Sequence, residues 1–117
     1  MIVKFYQYKN CSTCRKAQKF LDSRGIAYES IDITTQPPSE DELSAMLVYQ
    51  NGELRKLFNT AGLQYRELGM KDRLANMSIA DAIDLLAVNG KLIKRPFLLG
   101  KTRGLVGYKE ADWEKLI

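Results

Sequence analysis

The order of apolar and polar residues predicts a strand, a helix and a second strand in the first third of the chain. Residues 1–7 form an apolar run typical of a buried strand, and residues 26–33 alternate loosely, as a second strand does. Between them, apolar residues three and four positions apart predict an amphipathic helix over residues 12–24 that ends at Gly25. Because these elements follow one another with short connections, we expect a right-handed crossover and a parallel pair of strands.

Residues 36–90 have the pattern of several helices. Pro37-Pro38 interrupts the chain, and Ser39 followed three residues later by Glu42 has the spacing of a capping box. Short helical stretches are expected over residues 54–59 and 65–70, and a clearer helix from Ser78 to Asn89-Gly90. The apolar face of that helix is expected to consist of Ile79, Ala82, Ile83, Leu86 and Ala87.

The last part of the chain predicts a hairpin and a final helix. Residues 97–99 and 103–108 are short apolar segments, close enough together to form an antiparallel pair. Residues 108–117 predict a helix in which Trp113 packs on the sheet. The whole order is that of an α/β, thioredoxin-like (glutaredoxin-like) fold: a four-stranded mixed sheet with a helical insertion. We expect one domain over residues 1–117, in which 1–35 and 91–117 form the sheet core with its flanking helices and 36–90 form the insert.

The two cysteines of the chain, Cys11 and Cys14, lie between the first strand and the first helix. Two thiols separated by two residues can close a small disulfide and reopen it. Free N–H groups and the positive end of the helix dipole favour a thiolate at the first cysteine. A strand followed by CxxC and a helix is the signature of a thioredoxin-like redox centre. The alternative of two inert buried thiols stays open, whereas a zinc site would need further cysteines or histidines, which the chain lacks.

Residues near the two cysteines are expected to support a thiolate or an anion. Lys9 and Arg15 flank the pair with positive charge, and Ser12 and Thr13 lie between the two thiols. Later in the chain, Arg95 is expected to approach the cysteine end of the first helix.

Pro96 occupies the place before the third strand where thioredoxin-like folds have a cis proline against the redox cysteine. A cis bond before proline costs only about 0.5–1 kcal/mol more than trans, so we expect the cis form there. The alternative is a trans proline that opens the strand.

Composition and charge narrow the classes of function. The chain has 117 residues with a net charge of +4, and no apolar run approaches the ~20 residues of a membrane span. The N-terminus lacks the features of a secretory signal, so a cytoplasmic location is expected, where a CxxC more often catalyses or senses than stabilises. Residues 91–103 contain five basic residues and no acidic one. This spacing is too loose for nucleic acid and favours a site for a small anion or an acidic thiol partner.

Three motifs together resemble the arsenate reductase (ArsC/Spx) family. They are the string from Tyr8 to Ala17 around CxxCRKA, the dipeptide Arg95-Pro96, and the run from Leu105 to Tyr108. The resemblance extends over essentially the whole chain and is strongest to an uncharacterised ArsC-like branch with a CxxC motif. In the family's reductases a thiolate matching Cys11 attacks arsenate.

The family's reductases also surround the oxyanion with three arginines. Arg95 matches one of them, while Asn59 and Gly107 stand where the other two are expected, so the resemblance implies weak arsenate turnover. Lys101 or Arg103 are candidates to supply the missing charge.

The resemblance predicts a thiol–disulfide oxidoreductase in which Cys11 attacks and Cys14 resolves. Its substrate would be a small oxyanion or a disulfide, and glutathione, glutaredoxin or thioredoxin would supply electrons. No bound cofactor, no metal and a monomer are expected. The alternative is an Spx-like redox-sensing transcriptional regulator that binds the RNA polymerase α subunit. A thiol-bearing fold without catalysis is a third possibility.

Overall fold

The computed structural model describes residues 3–115, so the predictions for Met1, Ile2, Leu116 and Ile117 lie outside the described residues. The strands are β1 (Val3–Gln7), β2 (Tyr28–Asp32), β3 (Phe97–Leu99) and β4 (Gly104–Val106). The α-helices are α1 (Ser12–Ser23), α2 (Glu40–Tyr49), α3 (Leu63–Glu67), α4 (Met70–Arg73), α5 (Ile79–Ala87) and α6 (Glu110–Glu114). Short 3₁₀ turns cover Leu54–Leu57, Leu74–Asn76 and Gly90–Leu92.

The four strands form one mixed sheet in the order β2-β1-β3-β4. Strand β1 pairs in parallel with β2, and β3 is antiparallel to both β1 and β4. The predicted parallel pair, the predicted hairpin and the α/β thioredoxin-like fold class are therefore confirmed. Between β2 and β3 the chain forms α2 to α5, where the helical insert was expected. That the whole chain is one domain stays a prediction.

Side chains on opposite faces of β1 and β3 belong to two separate hydrophobic clusters, because successive residues of a strand point to opposite faces. Phe5 and Leu98 pack under α1 and α6 together with Trp113. Tyr6 and Phe97 pack against the helices of the insert on the other face. As predicted, Trp113 is fully buried, and its indole N–H donates to the carbonyl of Gly107 at 3.0 Å.

The capping box at the start of α2 is present and also reaches the sheet. Ser39 Oγ accepts from the N–H of Glu42 at 3.1 Å, and Glu42 Oε1 accepts from the N–H of Ser39 at 3.0 Å. The same carboxylate accepts from Tyr6 Oη at 2.7 Å and forms an ion pair with Lys4 at 2.8 Å. Glu42, which caps the start of α2, thus also fixes that helix against β1.

The insert is joined to the segment before β3 by backbone hydrogen bonds. Phe58 and Ile93 form an isolated antiparallel bridge. Asn59 N–H donates to the carbonyl of Leu92, and Lys94 N–H donates to the carbonyl of Leu57, both at 2.8 Å. This pairing brings residue 59 of the insert close to the chain that leads into Arg95.

The bounds or burial of several elements differ from the sequence prediction. The helix predicted over residues 65–70 is divided into α3 and α4, because Gly69 between them has a positive φ of 63°. Ile79 was expected on the buried face of α5, but it is 57% exposed, because it is the first residue of the helix and lies outside the packed turns. The predicted strand over residues 103–108 covers only Gly104–Val106, since Gly107 adopts a positive φ of 70° that ends the extended backbone. Within residues 3–115, no helix has both the length and the apolar character needed to cross a bilayer.

Candidate functional site

Cys11 is the N-cap residue of α1, as its position in the sequence predicted. Its backbone is extended (φ −109°, ψ 111°), and its sulfur accepts a hydrogen bond from the N–H of Cys14 at 3.2 Å. An N-cap acceptor satisfies one of the N–H groups that a helix leaves unpaired in its first turn. Cys11 is also a partly exposed residue, so this N-cap position is accessible from solvent.

Cys14 lies beneath Cys11, in the first turn of α1, and is 2% exposed. Both cysteines are free thiols in this structure. Burial raises the pKa of the Cys14 thiol to about 12, and the neighbouring Cys11 sulfur acts in the same direction. A backbone hydrogen bond from Tyr8 and the positive charge of Arg95 act against this rise in pKa. The two sulfurs are therefore adjacent but unequal: one is accessible, and the other is buried and holds its proton.

Arg95 lies where it was expected, near the cysteine end of α1. Its guanidinium stacks on the ring of Tyr8, with 5.0 Å from Cζ to the ring centroid. The carbonyl of the same Tyr8 accepts from the N–H of Cys11 at 3.1 Å. Tyr8 thus connects the guanidinium to the cysteine loop through one residue. The Arg95-Pro96 peptide bond is cis, which confirms the prediction made for Pro96.

A cleft of about 350 Å³ opens beside Arg95 and Tyr8. Its wall consists of Tyr8, Asn59, Gly62, Leu63, Gln64, Glu67, Lys91 and Arg95. Two of these residues each carry a buried polar atom that has no hydrogen-bond partner among the described residues: Gln64 Oε1 and Arg95 Nη1. The protein therefore leaves an acceptor on Gln64 and a donor on Arg95 unused.

The residues predicted to support the thiolate lie around the cysteine loop. Arg15 is exposed, and its guanidinium donates to the carbonyl of Lys9 at 3.0 Å. Hydrogen bonds from Thr34 are the main cause of the lowered pKa of Asp32, and the charge of Lys9, which is also exposed, is a smaller one. Arg15 thus stabilises the loop before α1 by its hydrogen bond to the carbonyl of Lys9. In the first turn of the helix, Ser12 is exposed and Thr13 is partly buried.

Asn59 and Gly107 differ in how they replace the expected arginines. Asn59 lines the cleft together with Arg95. A β-carbon on Gly107 would lie 3.0 Å from Lys94 Cε, and the φ of 70° there disfavours any residue with a side chain. The backbone at this point is therefore built for glycine.

The cation that lines the cleft beside Arg95 is Lys91, not one of the two suggested by the sequence. Arg103 donates to the carbonyl of Lys115, and Lys101 lies in the turn of the hairpin, at the opposite end of β3 from Pro96. The expectation for Lys101 and Arg103 was therefore wrong, because a hairpin sends its turn away from the residue that precedes its first strand. The basic composition of residues 91–103 was the signal that could have indicated Lys91.

Within residues 3–115, no group of three or more acidic or cysteine side chains is placed to hold a metal ion. The arrangement consists of a partly exposed sulfur at a helix N-terminus, a buried second sulfur, one guanidinium and a polar cleft. Chemically, such a site can exchange thiol and disulfide bonds.

The model of the ArsC family matches residues 6–116, almost the entire chain. The chain belongs to the ArsC family. Among related proteins, it is 44% identical over 115 residues to the uncharacterized protein YusI of Bacillus subtilis, covering 98% of both chains. It is 28% identical over 111 residues to the global transcriptional regulator Spx of Streptococcus pyogenes, covering 95% of this chain and 81% of Spx.

Solved structures of ArsC-family proteins agree with this fold. The crystal structure of a possible arsenate reductase from Streptococcus mutans superposes with a TM-score of 0.87 and 41% identity. The match covers 96% of this chain and 97% of that one. The resemblance stated from the sequence motifs is thus confirmed at the level of the family, which includes both reductase-like and regulator-like relatives.

Proposed function

We propose that this ArsC-family chain is a cytoplasmic thiol–disulfide oxidoreductase. The observation that supports this most directly is the Cys11 sulfur, held at the N-terminus of α1 by the N–H of Cys14 and open to solvent. Cys11 is the attacking thiolate and Cys14 the resolving thiol in this proposal. Membership of the family supports the reaction class, and the local geometry supports the division of roles between the two sulfurs.

The proposed reaction consists of two exchanges. The Cys11 thiolate attacks one sulfur of a disulfide; a new S–S bond forms as the old one breaks, and the first half leaves as a thiolate that takes a proton from water. Cys14 then loses its proton to solvent, and its sulfur displaces the second half from Cys11 as a thiolate that takes a proton from water. The products are a Cys11–Cys14 disulfide and two thiols, so two electrons have passed from protein to substrate.

The pKa of Cys14 makes the second exchange the slower one in this scheme. In the mixed disulfide Cys11 no longer carries a thiol, so burial is the main cause that still raises the pKa of Cys14, and the charge of Arg95 acts against it. The cycle closes when an external thiol reduces the internal disulfide. Glutathione, glutaredoxin and thioredoxin are the candidate donors. Arsenate is a weak substrate in this proposal, because Asn59 stands in the cleft in place of an arginine.

The test is reduction of bis(2-hydroxyethyl) disulfide, coupled to NADPH oxidation in parallel through glutathione with glutathione reductase, through glutaredoxin and through thioredoxin. We expect Cys11→Ser to abolish turnover. Cys14→Ser should keep the first exchange and accumulate a mixed disulfide on Cys11, detected by intact-protein mass. Full activity of Cys11→Ser would refute the assignment, and parallel assays with arsenate in place of the disulfide should give slower turnover.

A second function is favoured by the identity to Spx regulators. In this alternative, the Cys11–Cys14 pair senses oxidants and controls binding to the RNA polymerase α subunit. Pull-down of the purified α subunit, with reduced and with diamide-treated protein, tests it. Redox-dependent binding together with no disulfide turnover would favour the regulator over the enzyme.

A further inference from the structure

Two residues that line one cleft each carry an unpaired polar atom, and together these atoms indicate what the cleft binds. Arg95 Nη1 is a buried donor and Gln64 Oε1 is a buried acceptor, and neither has a partner among residues 3–115. Both residues line the cleft beside the cysteine loop. Buried polar groups are nearly always hydrogen-bonded in folded proteins, so each such exception calls for a specific explanation. A ligand that supplies one acceptor and one donor would satisfy both atoms at once.

A residue of an extended peptide carries this combination on one side, because its own N–H and its own carbonyl point in the same direction. We propose that Arg95 and Gln64 together bind the carbonyl and the N–H of one substrate residue, so that the cleft selects disulfides of cysteine-containing peptides. The inference rests on the proposed oxidoreductase function and makes Gln64 the residue that determines its substrate class. The guanidinium donates to the substrate carbonyl, and the Gln64 side-chain carbonyl accepts from the substrate N–H.

A tetrahedral oxyanion fits this wall less well. Its oxygens would accept from the Arg95 guanidinium. They would also bring negative charge close to Gln64 Oε1, which is itself an acceptor and has nothing to donate. Glu67 lines the same cleft and adds repulsion, while Lys91 adds attraction. A mixed wall of this kind suits a ligand with both donors and acceptors. The volume of about 350 Å³ is at the lower end of the range for small-molecule sites and accommodates a short peptide segment.

The position of the cleft relative to the sulfur supports the same inference. Tyr8 lines the cleft, and its carbonyl accepts from the N–H of Cys11. Its ring also holds the Arg95 guanidinium by stacking at 5.0 Å, which limits the directions in which Nη1 can point. A peptide group bound at Arg95 therefore lies next to the loop that carries the attacking sulfur.

The experiment compares two disulfides with the full-length protein: the disulfide of N-acetylcysteine N-methylamide, which carries peptide groups, and bis(2-hydroxyethyl) disulfide, which carries none. Gln64→Met removes the acceptor at similar size. We expect it to raise KM for the peptide disulfide by about tenfold, the effect of one buried hydrogen bond, and to leave kcat nearly unchanged. For bis(2-hydroxyethyl) disulfide both constants should stay within twofold of the wild type. Gln36→Met, the same change at an exposed site, is the matched control.

The outcomes separate this inference from the function on which it rests. If the wild type reduces neither disulfide, the oxidoreductase function fails. If it reduces both and Gln64→Met changes both equally, or neither, the peptide-binding role of Gln64 is overturned. A second measurement covers misfolding: because Gln64→Met removes a buried acceptor without a partner, its melting temperature should equal or exceed that of the wild type. A lower melting temperature combined with losses on both disulfides would assign Gln64 a structural role instead.

Discussion

Cys14 should be almost unreactive towards iodoacetamide in the folded protein, and the structure gives the size of the effect. Burial raises its pKa to about 12, so at pH 7.5 about 3 in 100,000 molecules carry the thiolate. An ordinary thiol with a pKa of about 8.5 is ionised in about one molecule in eleven at the same pH. The ratio of these populations predicts an alkylation rate about 3,000 times lower for Cys14 in the folded than in the unfolded chain.

The measurement uses Cys11→Ser, which leaves Cys14 as the one thiol. Because this variant also removes the contribution of the Cys11 sulfur to the pKa of Cys14, its rate ratio should lie below about 3,000. Serine is a good N-cap residue, so this variant keeps an acceptor for the N–H of Cys14. Alkylation is followed by mass spectrometry from pH 7 to 11, in buffer and in 8 M urea. In urea the rate should level off above about pH 9.5, where an ordinary thiol is fully ionised. In buffer the rate should still rise about tenfold per pH unit up to about pH 11.

The shape of the pH profile decides the result. If the rate in buffer levels off at the same pH as in urea, Cys14 reacts through an opened state or has an ordinary pKa. If the two rates at pH 7.5 differ by less than about tenfold, the burial argument fails, and with it the assignment of Cys14 as a slow resolving thiol. Cys14→Ser, measured alongside, reports the rate of the partly exposed Cys11 alone.

Four further predictions concern stability. The raised pKa values of Cys14 and Tyr6 mean that the unfolded chain binds fewer protons at alkaline pH, so the urea midpoint should fall steadily above about pH 9 and stay constant between pH 7 and 8. The free energy of unfolding of Cys11→Ala should be about 0.5–1 kcal/mol lower than that of Cys11→Ser, because alanine removes the N-cap acceptor. Equal free energies of unfolding in urea titrations would show that the sulfur does not cap α1. Glu42→Gln should destabilise the protein by about 1–3 kcal/mol at pH 7, because the carboxylate joins the capping box to the sheet. Burial raises the pKa of Glu42, but hydrogen bonds outweigh it, so the pKa is lowered on folding. The stabilisation by the carboxylate is therefore fully present above about pH 4.3, and the difference in stability between the wild type and Glu42→Gln should shrink as the pH falls further. An unchanged difference at pH 3 would contradict this prediction. Gly107→Ala should lower the free energy of unfolding by about 1–2 kcal/mol, because alanine is strained in the left-handed backbone conformation of this position. An unchanged melting temperature would show that no such strain arises.

Local signals were sufficient for most of the fold. The capping box at Ser39, the stop at Gly25 and the period of α1 are each encoded within a few residues. The order of elements then limits the ways in which they can pack, so the mixed sheet followed. The position of Cys11 at the start of α1 is of the same kind, since it depends only on where one strand ends and one helix begins.

The cleft depends on contacts that no local pattern records. Gln64 lies on a helix of five residues, too short for a periodic pattern to show which side faces inward. Its place beside Arg95 follows from the pairing of Phe58 with Ile93, which joins segments 35 residues apart in the chain. Similarly, the bond from Tyr6 to Glu42 spans 36 positions. These features arise from tertiary packing and had no signal in the sequence that could have found them.

The two faces of the sheet bury separate clusters, with α1 and α6 on one side and the insert on the other. The helix that carries both thiols packs with the first cluster, whereas Asn59 and Gln64 come from the side of the second. Evolution can therefore vary the amino acids that choose a partner while leaving the sulfur-bearing half untouched. Such independence gives a physical reason why one small scaffold can serve catalysts in some lineages and gene regulators in others.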